Sequence, residues 1–172
     1  MRKLLAFALV CAAAVPVLAQ EKNPVTSAVR EILPRQQKNI VAAAEEMPAD
    51  KFSYKPTADQ MTFGKLVLHI TEGNNMFCGK IGGAAAPKAP ELKETDAKEK
   101  LIAAMKSSFD FCGAALGKMD DSKLAEKVEL FGHDGSMAWA VIALASSWSD
   151  HYGAEAMYLR LNGLLPPTAK KK

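Results

Sequence analysis

The sequence of 172 residues has little net charge, few cysteines and few histidines. Its formal charge of +3 falls to +1 once Arg2 and Lys3 leave with the leader segment described below. A nearly neutral chain lacks the clustered basic face that is typical of nucleic-acid binding. The chain also has no glycine-rich phosphate loop and no Gly-x-Ser-x-Gly element. The low charge predicts that the protein has no nucleic-acid partner. The missing motifs argue against an enzyme with a glycine-rich phosphate-binding loop and against a hydrolase with a Gly-x-Ser-x-Gly nucleophile.

The first nineteen residues have the pattern of a signal peptide. Arg2 and Lys3 precede an apolar run from Leu4 to Ala14, and residues 17–19 place small side chains at the positions that a signal peptidase recognises. A membrane-spanning helix needs about 20 apolar residues, which is longer than this run. We therefore predict cleavage after Ala19 and export to the periplasm or the medium, with no membrane attachment afterwards. An uncleaved N-terminal anchor is the alternative.

The rest of the chain predicts one all-α domain over residues 20–166, followed by a basic tail at 167–172. Apolar residues recur at helical spacing in four segments, which is typical of a four-helix bundle. Pro34 lies inside the first segment and is expected to kink or divide that helix. No segment alternates strictly enough to predict a strand, and residues 132–135 are predicted to form a loop. The four predicted helices span residues 25–47, 62–82, 95–116 and 136–162.

Two of the three histidines lie within predicted helices, on apolar stripes. His69 shares a helix edge with Leu66, and His151 lies on the stripe of Trp148, with Glu155 one turn beyond it. A polar side chain on such a stripe needs a partner, because burying it alone is unfavourable. The two histidines are therefore either hydrogen-bonded residues of the core or its rim, or ligands that converge inside the bundle to hold a metal.

Several segments resemble the DinB superfamily. Residues 52–57 (Phe-Ser-Tyr-Lys-Pro-Thr), followed by residues 61–70 (Met-Thr-Phe-Gly-Lys-Leu-Val-Leu-His-Ile), are similar to the helix-2 region of that family. Residues 150–153 (Asp-His-Tyr-Gly), residues 158–163 (Tyr-Leu-Arg-Leu-Asn-Gly) and the pair Pro166-Pro167 are similar to the end of its last helix. The resemblance covers nearly the whole mature chain. It implies a four-helix bundle with up-down-down-up topology and a long crossover between helices 2 and 3.

The same resemblance implies a divalent metal site, in which zinc or nickel is held by three histidines near one end of the bundle. One ligand comes from helix 2, where His69 matches, and two come from the last helix at positions i and i+4. His151 matches the second of these, but Ser147 stands at the first, and a serine hydroxyl is a poor ligand for either metal. Glu155 is a candidate for the third ligand, from the same helix.

Two classes of function remain open. The first is a metal-dependent enzyme, either a hydrolase or a thiol-transferase-like protein, with an incomplete histidine triad and with Glu155 as the third ligand or the base. The second is a non-catalytic exported binding or stress-response bundle that has lost the metal site. Ser147 favours the second class, and the two retained histidines favour the first. An unidentified small-molecule ligand and a homodimer both remain open as partners.

The cysteines are interpreted in the light of the predicted export. Cys11 leaves with the leader, and Cys78 and Cys112 either pair in an oxidising compartment or remain buried thiols. In the arrangement that the resemblance implies, helices 2 and 3 run parallel, so these two cysteines come to similar heights. The resemblance therefore implies a disulfide between Cys78 and Cys112.

Overall fold

The computed structural model describes residues 22–87 and 91–170. The predicted signal peptide at 1–19, which includes Cys11, lies outside the described residues. All four predicted helices are confirmed, with ends that differ by no more than three residues. None of these helices is both long and apolar enough to cross a membrane. The helices are α1 (Pro24–Glu46), α2 (Phe63–Gly82), α3 (Lys98–Gly117) and α4 (Met137–Leu161).

Side-chain caps explain where two of the helices begin. The hydroxyl of Thr62 accepts a hydrogen bond from the backbone N–H of Lys65 at 2.9 Å, and the hydroxyl of Ser136 accepts one from Trp139 at 3.2 Å. Each cap satisfies a backbone donor that the first turn of a helix otherwise leaves free. Helix α1 continues through Pro34 and is not divided there, because buried side chains before and after the proline hold both halves against one core.

Helices α2 and α3 run parallel and are joined covalently. Asn74 donates a side-chain hydrogen bond to Ser108, and Cys78 forms a disulfide with Cys112; both pairs are separated by 34 residues. Because the separation is the same at both points of contact, the two helices run in the same direction. The Cα atoms of the two cysteines lie 5.0 Å apart, within the range that a disulfide requires. The disulfide that the resemblance implied is therefore present in the structure.

Helix α4 runs antiparallel to α2. The ring of His69 faces that of His151, whereas Asn74, further along α2, accepts a hydrogen bond from the indole N–H of Trp148, which comes earlier in α4. The Trp148–Asn74 bond measures 2.8 Å and is buried, as is the bond from Asn74 to Ser108 on α3. This buried network fixes the heights of three helices relative to one another, because a shift of any one of them would leave a polar group without its partner.

Helix α1 is parallel to α4, which completes the predicted up-down-down-up topology. Gln36 in the middle of α1 donates a hydrogen bond to Ser149 in the middle of α4. Glu46, at the end of α1, forms an ion pair with Lys170, just beyond the end of α4. Residues Pro167–Ala169 form a short 3-10 turn between α4 and this ion pair. The described part of the predicted tail is thus packed against the bundle.

A short β-hairpin precedes α4, and here the sequence-based prediction was wrong. Strand β1 (Lys127–Leu130) pairs antiparallel with β2 (His133–Ser136), although no strand was predicted and residues 132–135 were expected to form a loop. Both central residues of the turn, Phe131 and Gly132, have positive φ angles of 55° and 72°, as a two-residue hairpin turn requires. Four-residue strands are too short for alternating hydrophobicity to identify them, and phenylalanine is an unusual residue at such a turn.

Candidate metal site

The structure brings His69 and His151 together in the groove between α2 and α4. The ring centroids are 5.2 Å apart, and the ring planes are nearly perpendicular at 89°. His69 is exposed and His151 is half-buried, so the pair lies at the surface of the bundle. A metal-binding pair was predicted to lie in the interior, and the structure corrects this.

The pKa of His151 lies below its usual 6.5, mainly because the ring is partly buried and secondly because His69 is close to it. The nearby carboxylate of Asp150 acts in the opposite direction and raises this pKa. At neutral pH the imidazole of His151 is therefore uncharged, with a lone pair available.

Ser147 lies on the same side of α4, one turn before His151. Its hydroxyl donates a hydrogen bond to the backbone carbonyl of Leu144 at 2.8 Å, so it is engaged within its own helix. The antiparallel register places Gly73 of α2 across the groove from Ser147. A Cβ atom added at Gly73 would meet nothing within 4 Å, so the groove is open at this level. There is room here for a side chain larger than serine, but Ser147 itself supplies no imidazole.

Glu155 does not join the two histidines. Its side chain is fully buried on the face of α4 that carries Trp148, seven residues earlier, and neither carboxylate oxygen has a hydrogen-bond partner. Burial raises the pKa of Glu155 well above its usual 4.5. Among residues 22–87 and 91–170, no group of three or more His, Cys, Asp or Glu side chains is placed to hold a metal ion. Glu155 is thus a buried carboxyl group that lies apart from the histidine pair.

The spacing of the two imidazoles nevertheless suits a shared metal ion. Two imidazoles bound to one tetrahedral zinc, with Zn–N bonds of ~2.0–2.1 Å, have ring centroids about 5 Å apart. The observed centroid separation of 5.2 Å agrees with this value. The donor set does not fit the three-histidine site that the resemblance implied, because only two of its ligands are present in one chain.

An apolar cleft continues along the same groove, one turn from the histidines. Its volume is about 340 Å³. Leu66 lies three residues before His69 on α2, and Ala154 lies three residues after His151 on α4, so the cleft and the histidine pair share both walls. The cleft could not be predicted from helical spacing, because part of its wall comes from the loop before α2. The lining residues are Asp59, Gln60, Met61, Leu66, Ala154, Met157 and Tyr158.

The third histidine takes no part in this site. His133 is exposed on β2 and packs against Trp139, with ring centroids 4.7 Å apart. The two cysteines are buried and joined in the disulfide, so neither offers a thiolate. The groove therefore contains two imidazoles and an apolar cleft, and no activated nucleophile among the residues named here.

Comparisons with known proteins agree on one family. The profile of the DinB superfamily matches residues 32–151. A crystal structure of a DinB-like protein from Bacillus subtilis is 21% identical, with a TM-score of 0.66 over 84% of this chain and 99% of that chain. A DinB-like protein from Bacillus cereus is 14% identical, with a TM-score of 0.68 over 82% and 95% of the two chains. No curated protein sequence matches. Identities this low establish the shared fold alone.

Proposed function

The chain belongs to the DinB superfamily, and from this we propose that it is an exported, non-catalytic binding bundle in which the family's metal site is reduced to two imidazoles. Ser147 supports this role most directly. It stands where the resemblance expects a histidine, and its hydroxyl is bonded to the carbonyl of Leu144. A chain with only His69 and His151 in the groove holds a metal weakly, since zinc sites in proteins use three or four protein ligands.

The remaining side chains near the groove give little support to catalysis. Catalytic zinc sites combine three protein ligands with one open position for water or substrate. Glu155 was the candidate third ligand, but its carboxyl is buried on another face of α4 and has no hydrogen-bond partner there. Cys78 and Cys112, the cysteines of the described chain, are held in a disulfide. Neither a metal-activated water nor a thiolate is therefore supplied by this arrangement.

Two features support export. The first nineteen residues have the pattern of a cleavable signal peptide. The disulfide between α2 and α3 is the kind of bond that persists in oxidising compartments and is rare in the cytosol. We infer that the mature protein works in the periplasm or outside the cell. Amino-terminal sequencing of the protein after expression tests this directly: a mature chain that still begins at Met1 would contradict it.

Metal content tests the non-catalytic role. We expect the purified mature protein, after dialysis, to contain far less than one zinc or nickel per chain by elemental analysis. Ser147→His restores the missing ligand and should raise the affinity for zinc or nickel by a large factor, with a higher melting temperature in the presence of metal. Ser146→His is the matched control, because Ser146 is exposed on the neighbouring position of the same helix. One tightly held metal per unaltered monomer would refute the role.

The second candidate is a metal-dependent enzyme, hydrolase or thiol-transferase-like. It is favoured by one observation, the 5.2 Å separation of the two ring centroids, which suits a shared metal ion. Such an enzyme needs a third ligand that moves into the groove when the metal binds. A single metal bound to each monomer would favour this candidate, so the same experiment separates the two.

A further inference from the structure

We propose that the apolar cleft beside the loop before α2 binds a small organic cation with an apolar body, and that Asp59 at the rim of the cleft is the partner of its positive charge. Such a ligand would be an alkylammonium or arylalkylammonium ion that places its hydrocarbon part between α2 and α4. This inference rests on the proposed binding role, and it names the chemical class of ligand that the protein would bind.

The cleft has the size and composition of a ligand site. Its volume of about 340 Å³ lies within the range of about 300–1,000 Å³ that is common for small-molecule sites. Its walls come from α2, from α4 and from the loop before α2, and apolar side chains such as Leu66 and Ala154 form most of them. Burying the hydrocarbon part of a ligand against these side chains would favour binding.

Tyr158 fixes one wall of the cleft. Its hydroxyl donates a hydrogen bond to the backbone carbonyl of Met61 at 2.7 Å, which ties the loop to α4. Its ring packs against the rings of Tyr54 and Phe63, with centroids 6.2 Å and 5.8 Å away. A wall that is held in place before the ligand arrives favours binding, because less conformational entropy is lost when the ligand binds.

Two methionines give the cleft an adaptable apolar surface. Met61 and Met157 both line the cleft and are 44% and 57% exposed. A methionine side chain is flexible and its sulfur is polarisable, so it adapts to ligands of different shape and makes favourable contacts with aromatic rings. These side chains therefore favour an apolar body that includes an aromatic ring.

The charge of the ligand follows from Asp59. Among the described residues that line the cleft, Asp59 is the only charged one, and it is exposed at the rim. No Lys, Arg or His side chain within residues 22–87 and 91–170 forms an ion pair with it. Lys65, which neighbours Leu66 on α2, is paired with Glu72 at 3.7 Å. The carboxylate of Asp59 therefore attracts a cation to the cleft and disfavours an anion.

Three probes of similar shape test the charge. Phenylbutylammonium, phenylbutanol and phenylbutanoate share an apolar body and carry a positive, a neutral and a negative end. Each is titrated into the mature protein at low ionic strength with EDTA present, and NMR follows the methionine methyl signals. We expect the signals of Met61 and Met157 to shift, while that of Met76, which lies outside the cleft, stays in place.

The affinities should follow the charge of the probe. The ammonium ion should bind at least about tenfold more tightly than the alcohol, and the carboxylate should bind least tightly, because each probe would place its end beside the carboxylate of Asp59. Added salt should reduce the advantage of the ammonium ion, since salt screens charges at an exposed rim.

Variants locate the ligand. Asp59→Asn should remove the advantage of the ammonium ion and leave the affinity for the alcohol unchanged, whereas Asp134→Asn, at an exposed aspartate of β2, should change neither. Ala154→Leu should fill the cleft and weaken the binding of the ammonium ion and the alcohol, whereas Ala114→Leu, at an exposed alanine of α3, should not. Circular dichroism confirms that each variant is folded.

The outcomes separate this inference from the proposed function. An alcohol or a carboxylate that binds as tightly as the ammonium ion would overturn the choice of a cation. Unshifted signals of Met61 and Met157, or undiminished binding to Ala154→Leu, would overturn the site. Each of these failures would leave the metal content of the protein, and with it the test of the non-catalytic role, unaffected. One tightly held metal per chain would refute that role, while the probes would still measure binding at the cleft.

Discussion

Replacing Glu155 by methionine should stabilise the protein, and the gain should grow with pH. The carboxyl is fully buried, neither oxygen has a hydrogen-bond partner, and burial is the cause that raises its pKa well above 4.5. Methionine has a similar length and no charge, so it can occupy the site without a large change in volume. Glutamine is a poorer choice, since its amide would bring buried donors that also lack partners.

The magnitude follows from proton linkage. Below the unfolded-state pKa of Glu155, both states hold the proton and its ionisation has no effect on stability. As the pH rises above that value, the unfolded chain releases the proton while the folded chain keeps it. The wild-type protein therefore loses about 1.4 kcal/mol of unfolding free energy per pH unit from this group, until the pH reaches the raised folded-state pKa. Glu155→Met removes this loss, so the difference between the two proteins increases with pH.

Urea unfolding followed by circular dichroism, at several values between about pH 4 and pH 8, measures the effect. The unfolding free energy of Glu155→Met minus that of the wild type should rise with pH above the unfolded-state pKa of Glu155 and level off once the pH passes the raised folded-state pKa. Glu72→Met is the control, because Glu72 is an exposed glutamate on α2 in a surface ion pair, where changes are usually below about 1 kcal/mol. Parallel pH profiles for wild type and Glu155→Met would show that Glu155 is ionised in the folded protein, and would refute the reasoning.

Three further predictions concern the packing that positions the groove. Asn74→Ala leaves the indole N–H of Trp148 without its acceptor and should lower the unfolding free energy by about 3 kcal/mol in chemical denaturation, whereas Asn75→Ala should have little effect. Gly64→Ala should destabilise by about 1–3 kcal/mol, because the new Cβ would lie 2.5 Å from a carbonyl oxygen; Gly73→Ala, with open space, should be neutral or stabilising in the same assay. Reduction of the disulfide should lower stability by about 3–4 kcal/mol, and thiol titration of the denatured, unreduced protein should find no free thiol.

The helices could be predicted from the sequence because their signals are local. The predicted second and fourth helices begin at Thr62 and Ser136, and both residues act as caps in the structure. The pairing of Cys78 with Cys112 needed the topology as well, since heights along two helices can be compared only when their directions are known. That information came from the resemblance to a family.

The details of the site could not be predicted in the same way. Helical spacing placed Glu155 and His151 one turn apart on one stripe, but a difference of four residues turns the side chains by about 40°, and this is enough to send one into the core and the other into the groove. The bond from Ser147 to the carbonyl of Leu144 depends on a side-chain rotamer, which the sequence does not specify. The hairpin at 127–136 was missed because its strands are short and its turn carries Phe131.

The disulfide between α2 and α3 has a consequence for the covalent connectivity of the chain. Its two cysteines lie on either side of the crossover that joins these parallel helices. A single cut in that crossover would divide the polypeptide into a piece containing α1 and α2 and a piece containing α3 and α4. In the oxidised protein the two pieces would remain one molecule, and only a reductant would allow them to separate. The disulfide thus gives the protein a second covalent link across the connection between α2 and α3.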